Sequence, residues 1–282
     1  MNRTNVSTSG HARLLDLALL LFISVALTMT LSMVDSGLPS NQVATPVTCE
    51  AFATDNALSR KIQLVNWNIA KASLAEAHNS LEEIEFNLLA LQETPADDSL
   101  LFSPGHTGLN TTGVALGSEV SPSKICRWQS LEPIMLTPKA AIAVTFPITG
   151  TSKELLVINL HGVNFSWLLG TWKAQLRTAA SLAKSHNGPI VFVGDLNTWR
   201  YERARFSQEI ATELGLQIPN YHSDHRTAPF GYPLDWLLSR GIKWEHVEAP
   251  RRELSDHNPI IATGYLLITE NAENAENAEN AE

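Results

Sequence analysis

Cysteine is nearly absent: Cys49 and Cys126 are the only two in 282 residues. That is too few for a disulfide-dense framework. Charged residues make up only 17% against 44% hydrophobic, which excludes a chain too polar to bury a core. A basic excess is missing as well. The formal net charge is −9, but five glutamates lie in the last thirteen residues. Between Ala51 and Thr269, eighteen Lys and Arg face twenty-one Asp and Glu, a balance of −3. A body so near neutrality lacks the basic surface that grips long nucleic acid by its phosphates. It leaves room for a small phosphate ester held by a metal.

Long hydrophobic runs are also scarce, and the one that stands out is Leu17 to Val34, broken only by Ser and Thr. As a helix it would span about 27 Å, close to a bilayer's hydrocarbon core. Two readings stand, a signal peptide and an uncleaved N-terminal anchor. The run exceeds a usual signal core and no clean Ala-x-Ala site follows it, so the anchor is preferred. Arg3 and Arg13 precede the run and the next basic residue is Arg60, which puts the N-terminus in the cytoplasm and the body in the periplasm or outside. If the segment is cleaved, the protein is secreted.

The expected organisation is an anchor or signal segment at 1–34, a Ser/Pro/Thr-rich linker at 35–58, a domain at 59–268 and an acidic tail at 269–282. The tail repeats Asn-Ala-Glu and has nothing to bury. Cys49 and Cys126 pair only if the compartment is oxidising and the fold brings them together; two unrelated thiols is the other reading. Within the domain, strand-like runs at Lys61–Val65, Leu88–Leu91, Gly113–Leu116, Ala140–Phe146, Glu154–Leu160, Ile190–Val193, Leu234–Leu238 and Ile260–Leu267 alternate with helical patterns. The latter cover Leu74–Glu85, Trp167–Lys184 and Glu202–Leu214. This is an α/β or α+β domain.

Chemistry-bearing side chains gather where the strands end. Asn68 follows Lys61–Trp67, Glu93 follows Leu88–Gln92, and His161 follows Leu155–Leu160. Asp195 and Asn197 leave the run Ile190–Val193, which reads as a strand buried on both faces. Asp235 sits inside the apolar Leu234–Leu238, where an unpaired carboxylate is costly. Asp256 and His257 come just before the last strand. Each alone reads as a turn former, an exposed acid or a satisfied core-edge histidine; the recurrence at six strand edges is what argues for a site. Lys139 and Asn164 are candidates for substrate contact. Arg200, Arg203 and Arg205 form either a basic lip or a decorated helix, and His222, Asp224 and His225 read as a polar loop in preference to a metal site.

In order, Trp67-Asn68-Ile69, Leu91-Gln92-Glu93, Asn159-Leu160-His161, Gly194-Asp195-Leu196-Asn197, Leu234-Asp235-Trp236 and Ser255-Asp256-His257 resemble the motifs of the endonuclease/exonuclease/phosphatase superfamily. The resemblance spans about Lys61 to Leu267. It implies a DNase I-like, four-layered α/β sandwich of two mixed β-sheets flanked by helices, with the site at the sheets' common rim. It also implies Mg²⁺, or Mn²⁺, held by Glu93 with Asn68 beside it and Asp256 close by. Asp195 would orient or deprotonate the attacking water, and Asn197 would hydrogen-bond the nucleophile or phosphoryl oxygens. His257, kept cationic by Asp235, would contact the scissile phosphate, with His161 nearby. Pro233 stands where the superfamily often carries Arg. The expected substrate is a phosphoester, whether nucleic acid, phospholipid headgroup or small ester. The membrane is contacted through the N-terminal segment, and no protein partner is expected. An inert, membrane-tethered binding scaffold of the same fold is the competing reading.

Overall fold

Short runs rich in Val, Ile and Leu, several of them buried on both faces, build two sheets. The computed structural model describes residues 45–95, 102–105, 113–133, 137–166 and 169–268. All of them fall within the unit Val43–Glu282. The elements are β1 (Thr48–Ala51), β2 (Lys61–Asn68), α1 (Leu74–Ser80), β3 (Leu88–Thr94), β4 (Phe102–Gly105), β5 (Gly113–Ser118), β6 (Lys124–Leu131), β7 (Pro138–Pro147) and β8 (Glu154–Leu160). They continue as α2 (Gly170–Lys184), β9 (Ile190–Asp195), α3 (Tyr201–Glu213), β10 (Ser223–Asp224), β11 (Asp235–Arg240), β12 (Ile242–Ala249) and β13 (Ile260–Leu266).

One sheet has the order β1-β6-β7-β8-β9-β11 and the other β10-β12-β13-β2-β3-β5-β4. Both are mixed, with β8–β9 and β2–β3 parallel and antiparallel neighbours beside them. Alternation of side chains then makes the layers. Val157, Val191, Val193 and Leu237 of the first sheet meet Ile62, Leu64, Leu88 and Ile260 of the second in the central core. Their neighbours Ile158, Leu160, Ile190 and Phe192 face the other way, onto Trp172, Leu176 and Ala179 of α2 and Ile210 of α3. On the far side, Val65, Trp67 and Leu91 pack under Ala77 of α1 and Leu81 after it. The result is the expected four-layered sandwich. Truncating Phe192 to alanine at such a two-sided position costs about 3–5 kcal/mol.

Several boundaries differ from those read in the sequence. Helix α1 opens on a capping box, in which Ser73 Oγ accepts from Glu76 N–H and Glu76 Oε2 accepts from Ser73 N–H. It ends at Ser80, not Glu85: Leu81 and Ile84 keep their apolar spacing but pack through turns. Part of the stretch read as linker is built into a sheet. Strand β1 pairs with β6, placing Cys49 directly opposite Cys126, and the two form a disulfide. Leu58 is buried and bridges to Ile148, so the ordered domain begins before residue 59. Among the described residues no helix is long and apolar enough to cross a membrane. Leu17–Val34 and the acidic tail from 269 lie outside the described residues.

Candidate active site

Register brings the site together. In the antiparallel pair β9–β11, Asp195 stands directly opposite Asp235. Two carboxylates facing each other repel, and His257 relieves this pair: its Nδ1 lies 2.7 Å from Asp235 Oδ2 and its Nε2 3.9 Å from Asp195 Oδ2. The segment carrying His257 is tied to β2, whose Trp67 Nε1 donates to the His257 carbonyl (2.8 Å). Ser255 Oγ donates to the Asn68 carbonyl (2.7 Å) and accepts from His257 N–H (3.1 Å).

Gly194 is required before Asp195. Its φ is +139°, and a Cβ there would lie 2.0 Å from the Leu160 carbonyl oxygen. Strand β9 can therefore end hard against β8. Beyond it, Asn197 adopts φ +52°, a left-handed conformation that asparagine tolerates. Its N–H donates to Asp195 Oδ1 (2.8 Å), and its Nδ2 donates to the Gly162 carbonyl (2.9 Å) and lies 3.3 Å from Asp195 Oδ2. Asn68 Nδ2 donates to the same Oδ2 at 3.1 Å, and His161 Nε2 approaches it to 3.6 Å.

Glu93 enters from a bulge. Gln92 pairs with Val114 and Thr94 with Gly113, so Glu93 is the extra residue, at φ +54°. Such a kink re-aims a side chain at a sheet's edge, and here Glu93 Oε1 comes 3.6 Å from His161 Nε2 and 4.0 Å from Lys139 Nζ. Lys139 Nζ lies 2.9 Å from His161 Nε2 and 3.9 Å from Glu132 Oε1. Glu132 is buried and also accepts Asn164 N–H at 2.9 Å.

Environment sets the charges. Burial pushes the Asp195 carboxyl up, the Asp235 charge adds to this, and His257 and the Asn197 N–H oppose it, leaving it at about 6. For His257, burial alone favours the neutral ring. The Asp235 charge and hydrogen bond overcome this, with Asp195 and Asp256 helping, and raise it to about 10. His161 is held well below the usual imidazole range, by burial first and then by Lys139 and His257. A neutral ring can accept at Nε2, which matches the Lys139 contact.

The structure thus unites Asn68, Glu93, Lys139, His161, Asp195, Asn197, Asp235 and His257. Asn164 borders the group through Glu132. Asp256 is exposed; its carbonyl accepts from Thr227 Oγ1 (2.7 Å), and it is not part of the set Asp195, Asp235 and His257, whose ligand atoms lie within 4.8 Å of one another. Three arginines do not form a basic lip: Arg203 is fully buried, Arg205 pairs with Glu209 (2.8 Å), and Arg200 lies 3.5 Å from Glu202. His222 stacks on His246 and Asp224 pairs with Arg226, so the loop makes no metal cluster. Arg226 Nη1 donates to the Asp235 carbonyl at 3.1 Å, so a guanidinium reaches this strand although Pro233 precedes it. Glu132 and Arg226 carried no sequence signal of their own, and Arg203 showed only as one of three arginines after the Asp195 loop, because the contacts each makes appear only in the fold.

A family model described as the Endonuclease/Exonuclease/phosphatase family matches residues 65–257. The chain is 32% identical over 244 residues to a UPF0294 protein of Vibrio cholerae, covering 80% of this chain and 86% of that protein. Among solved structures, it is similar to D. rerio TDP2 complexed with single-strand DNA product, with TM-score 0.54, 14% identity, and 72% and 98% of the two chains covered. It is also similar to a Bacteroides thetaiotaomicron mannosyl-6-phosphatase, with TM-score 0.53, 12% identity, and 71% and 98% covered. At these identities the two structures speak for the fold alone.

Proposed function

Because the chain belongs to the endonuclease/exonuclease/phosphatase family, we propose that it hydrolyses a phosphoester by attack of a water positioned beside Asp195. The observation that carries this reading is the convergence on Asp195 Oδ2. Asn68 Nδ2 lies at 3.1 Å, Asn197 Nδ2 at 3.3 Å, His161 Nε2 at 3.6 Å and His257 Nε2 at 3.9 Å. A buried carboxylate held by two amides and flanked by two imidazoles suits a general base beside a developing anion.

Asp195 takes the proton of the attacking water. Asn197 commits its NH₂ to Gly162 and Asp195, which leaves Oδ1 to accept from that water. His257, cationic through Asp235, donates to a phosphoryl oxygen as charge builds there. Lys139, oriented by neutral His161 and by Glu132, adds a second cation at the mouth.

The donor chemistry also fits a hard dication. Glu93, Asp195 and Asp235 crowd one rim, and the buried Asp235 Oδ1 has no hydrogen-bond partner among the described residues. His257 already holds Asp235 Oδ2, and the unpartnered Oδ1 marks a rim still short of positive partners for its carboxylates; Glu93 and Asn68 are the residues that would hold Mg²⁺ or Mn²⁺, with Asp256 nearby. Bound there, the ion supplies Lewis-acid stabilisation of the phosphoryl oxygens. The Cys49–Cys126 disulfide supports an oxidising compartment, and the Leu17–Val34 run supports attachment to a membrane with the domain on its outer side.

The test assays the full-length protein in Mg²⁺ against plasmid DNA, an abasic duplex, sphingomyelin and inositol phosphates, beside Asp195→Ala and His257→Ala. The reading requires one class to be cleaved, with turnover lost in both variants and in EDTA. A folded protein that binds Mg²⁺ to no measurable extent and cleaves nothing would leave the inert scaffold instead.

A further inference from the structure

Arg203 is the third residue of α3, yet its side chain has no exposed surface. Instead of a carboxylate it meets carbonyls. Nη1 donates to Val163 O (2.7 Å) and Asn197 O (3.0 Å), and Nη2 donates to Asn164 O and Ser166 O (3.4 Å). The guanidinium also meets two indoles, 5.0 Å from the Trp172 ring centroid and 5.2 Å from that of Trp199. Burial, with Arg200 adding, lowers it to about 10, so it stays charged at neutral pH.

Burying a cation in this way is costly, and an apolar side chain of similar volume fills such a space without that penalty. What a guanidinium adds is a rigid fork that fixes several acceptors at once. Those acceptors lie on two loops. One follows β8 and carries His161 and Asn164; the other leaves β9, whose last residue is Asp195, and carries Asn197. The bond to Asn197 O fixes the residue whose N–H holds Asp195 Oδ1. The bond to Asn164 O fixes a residue already held by Glu132, and Asn164 Oδ1 accepts Trp199 Nε1 at 2.9 Å. An indole N–H only donates, so the Asn164 amide must turn its oxygen to Trp199 and its NH₂ away, as a donor.

We infer that Arg203 is a positioning residue that locks these two loops together, coupling the water-activating pair Asp195–Asn197 to a phosphoryl donor, the NH₂ of Asn164. The inference rests on the hydrolase reading above. It gives Arg203 no contact with substrate; Arg203 acts through two backbones, and Trp199 is its partner in setting the amide.

The experiment uses the full chain with Arg203→Lys and Arg203→Met, plus Asn164→Ala alone and in the Arg203→Lys background. Two readouts are taken: kcat and KM on whichever phosphoester the wild type cleaves, and the side-chain NH₂ resonances of Asn164 and Asn197 by NMR. Arg203→Lys keeps the charge and most of the stem but cannot span both loops. We expect a folded variant with kcat down about 10²-fold, both NH₂ pairs shifted, and Asn164→Ala costing far less in this background than in the wild type. A lowered melting temperature with kcat, KM and both NH₂ pairs unchanged would make Arg203 merely structural. Independent, multiplicative losses for Arg203→Lys and Asn164→Ala would also overturn the coupling. If Arg203→Met fails to fold, Arg203→Lys carries the decision. A wild type that cleaves no phosphoester defeats the hydrolase reading, while the NH₂ resonances still decide whether Arg203 holds both loops.

Discussion

Replacing Asp235 by asparagine removes one charge, keeps the shape, and strikes the pair on which the cationic state of His257 depends. In the native protein Asp235 Oδ2 lies 2.7 Å from His257 Nδ1 and the imidazole is raised to about 10. The raised group contributes stability that is complete below its unfolded value of about 6.5 and is lost as pH climbs through about 10. Without the Asp235 charge, burial again favours the neutral ring, opposed only by the more distant Asp195 and Asp256. A fall to an ordinary value of about 6.5 takes the cationic fraction at pH 8 from about 99% to about 3%. Activity at pH 8 then drops about thirtyfold from protonation alone, and more if the ring reorients. Breaking a buried pair of this kind also costs about 3–5 kcal/mol of stability. The assay is an NMR titration of the His257 ring in the metal-free protein, wild type against Asp235→Asn, beside the pH–rate profile. A wild-type ring that titrates near 6.5, or one that titrates identically in both proteins, would refute the reasoning.

Two further outcomes follow from the scaffold. Cys49 and Cys126 close a loop with a sequence separation of 77 residues, so Cys49→Ser or Cys126→Ser should lower stability by up to about 4.5 kcal/mol by the chain-entropy estimate; denaturant melts unaffected by the substitution and by reductant would contradict the pairing. Gly194→Ala forces a Cβ to within 2.0 Å of the Leu160 carbonyl oxygen at φ +139°, and should cost about 3 kcal/mol or more. Its melting temperature should fall well below the wild type's, and an unchanged value would show that β8 and β9 are not packed as described.

What the sequence made legible was what local pattern encodes. Ile190–Val193 reads as a doubly buried strand and is one, because Val191 and Val193 fill the central core while Ile190 and Phe192 face the helices. Asn68, Glu93, His161 and Asp195 showed for a related reason: each follows such a run, and a polar side chain at the end of a buried strand stands out. Strands that depend on distant partners were hidden. In β12 the alternation of Ile242 and Trp244 with exposed Lys243 and Glu245 changes phase at a register shift near His246, so Val247 and Ala249 fall out of step and no single period-two pattern spans the strand. Strand β1 is exposed at all four residues and is held by pairing and a disulfide, not by apolar burial. The polar supports of the site were hidden too. Glu132 reads as an ordinary acid before a proline, and Arg203 as a surface residue of an amphipathic helix. Only the fold sets one against Asn164 N–H and the other against four carbonyls.

The central claim is that water, activated beside Asp195, attacks phosphorus directly. A single turnover of the substrate in ¹⁸O-labelled water, with wild type and Asp195→Asn compared, tests it. Direct attack puts one ¹⁸O in the phosphoryl product for each bond cleaved, and turnover should all but vanish in Asp195→Asn. Label in the alcohol product, unlabelled phosphoryl product after one turnover, or an Asp195→Asn protein as fast as the wild type would each contradict it.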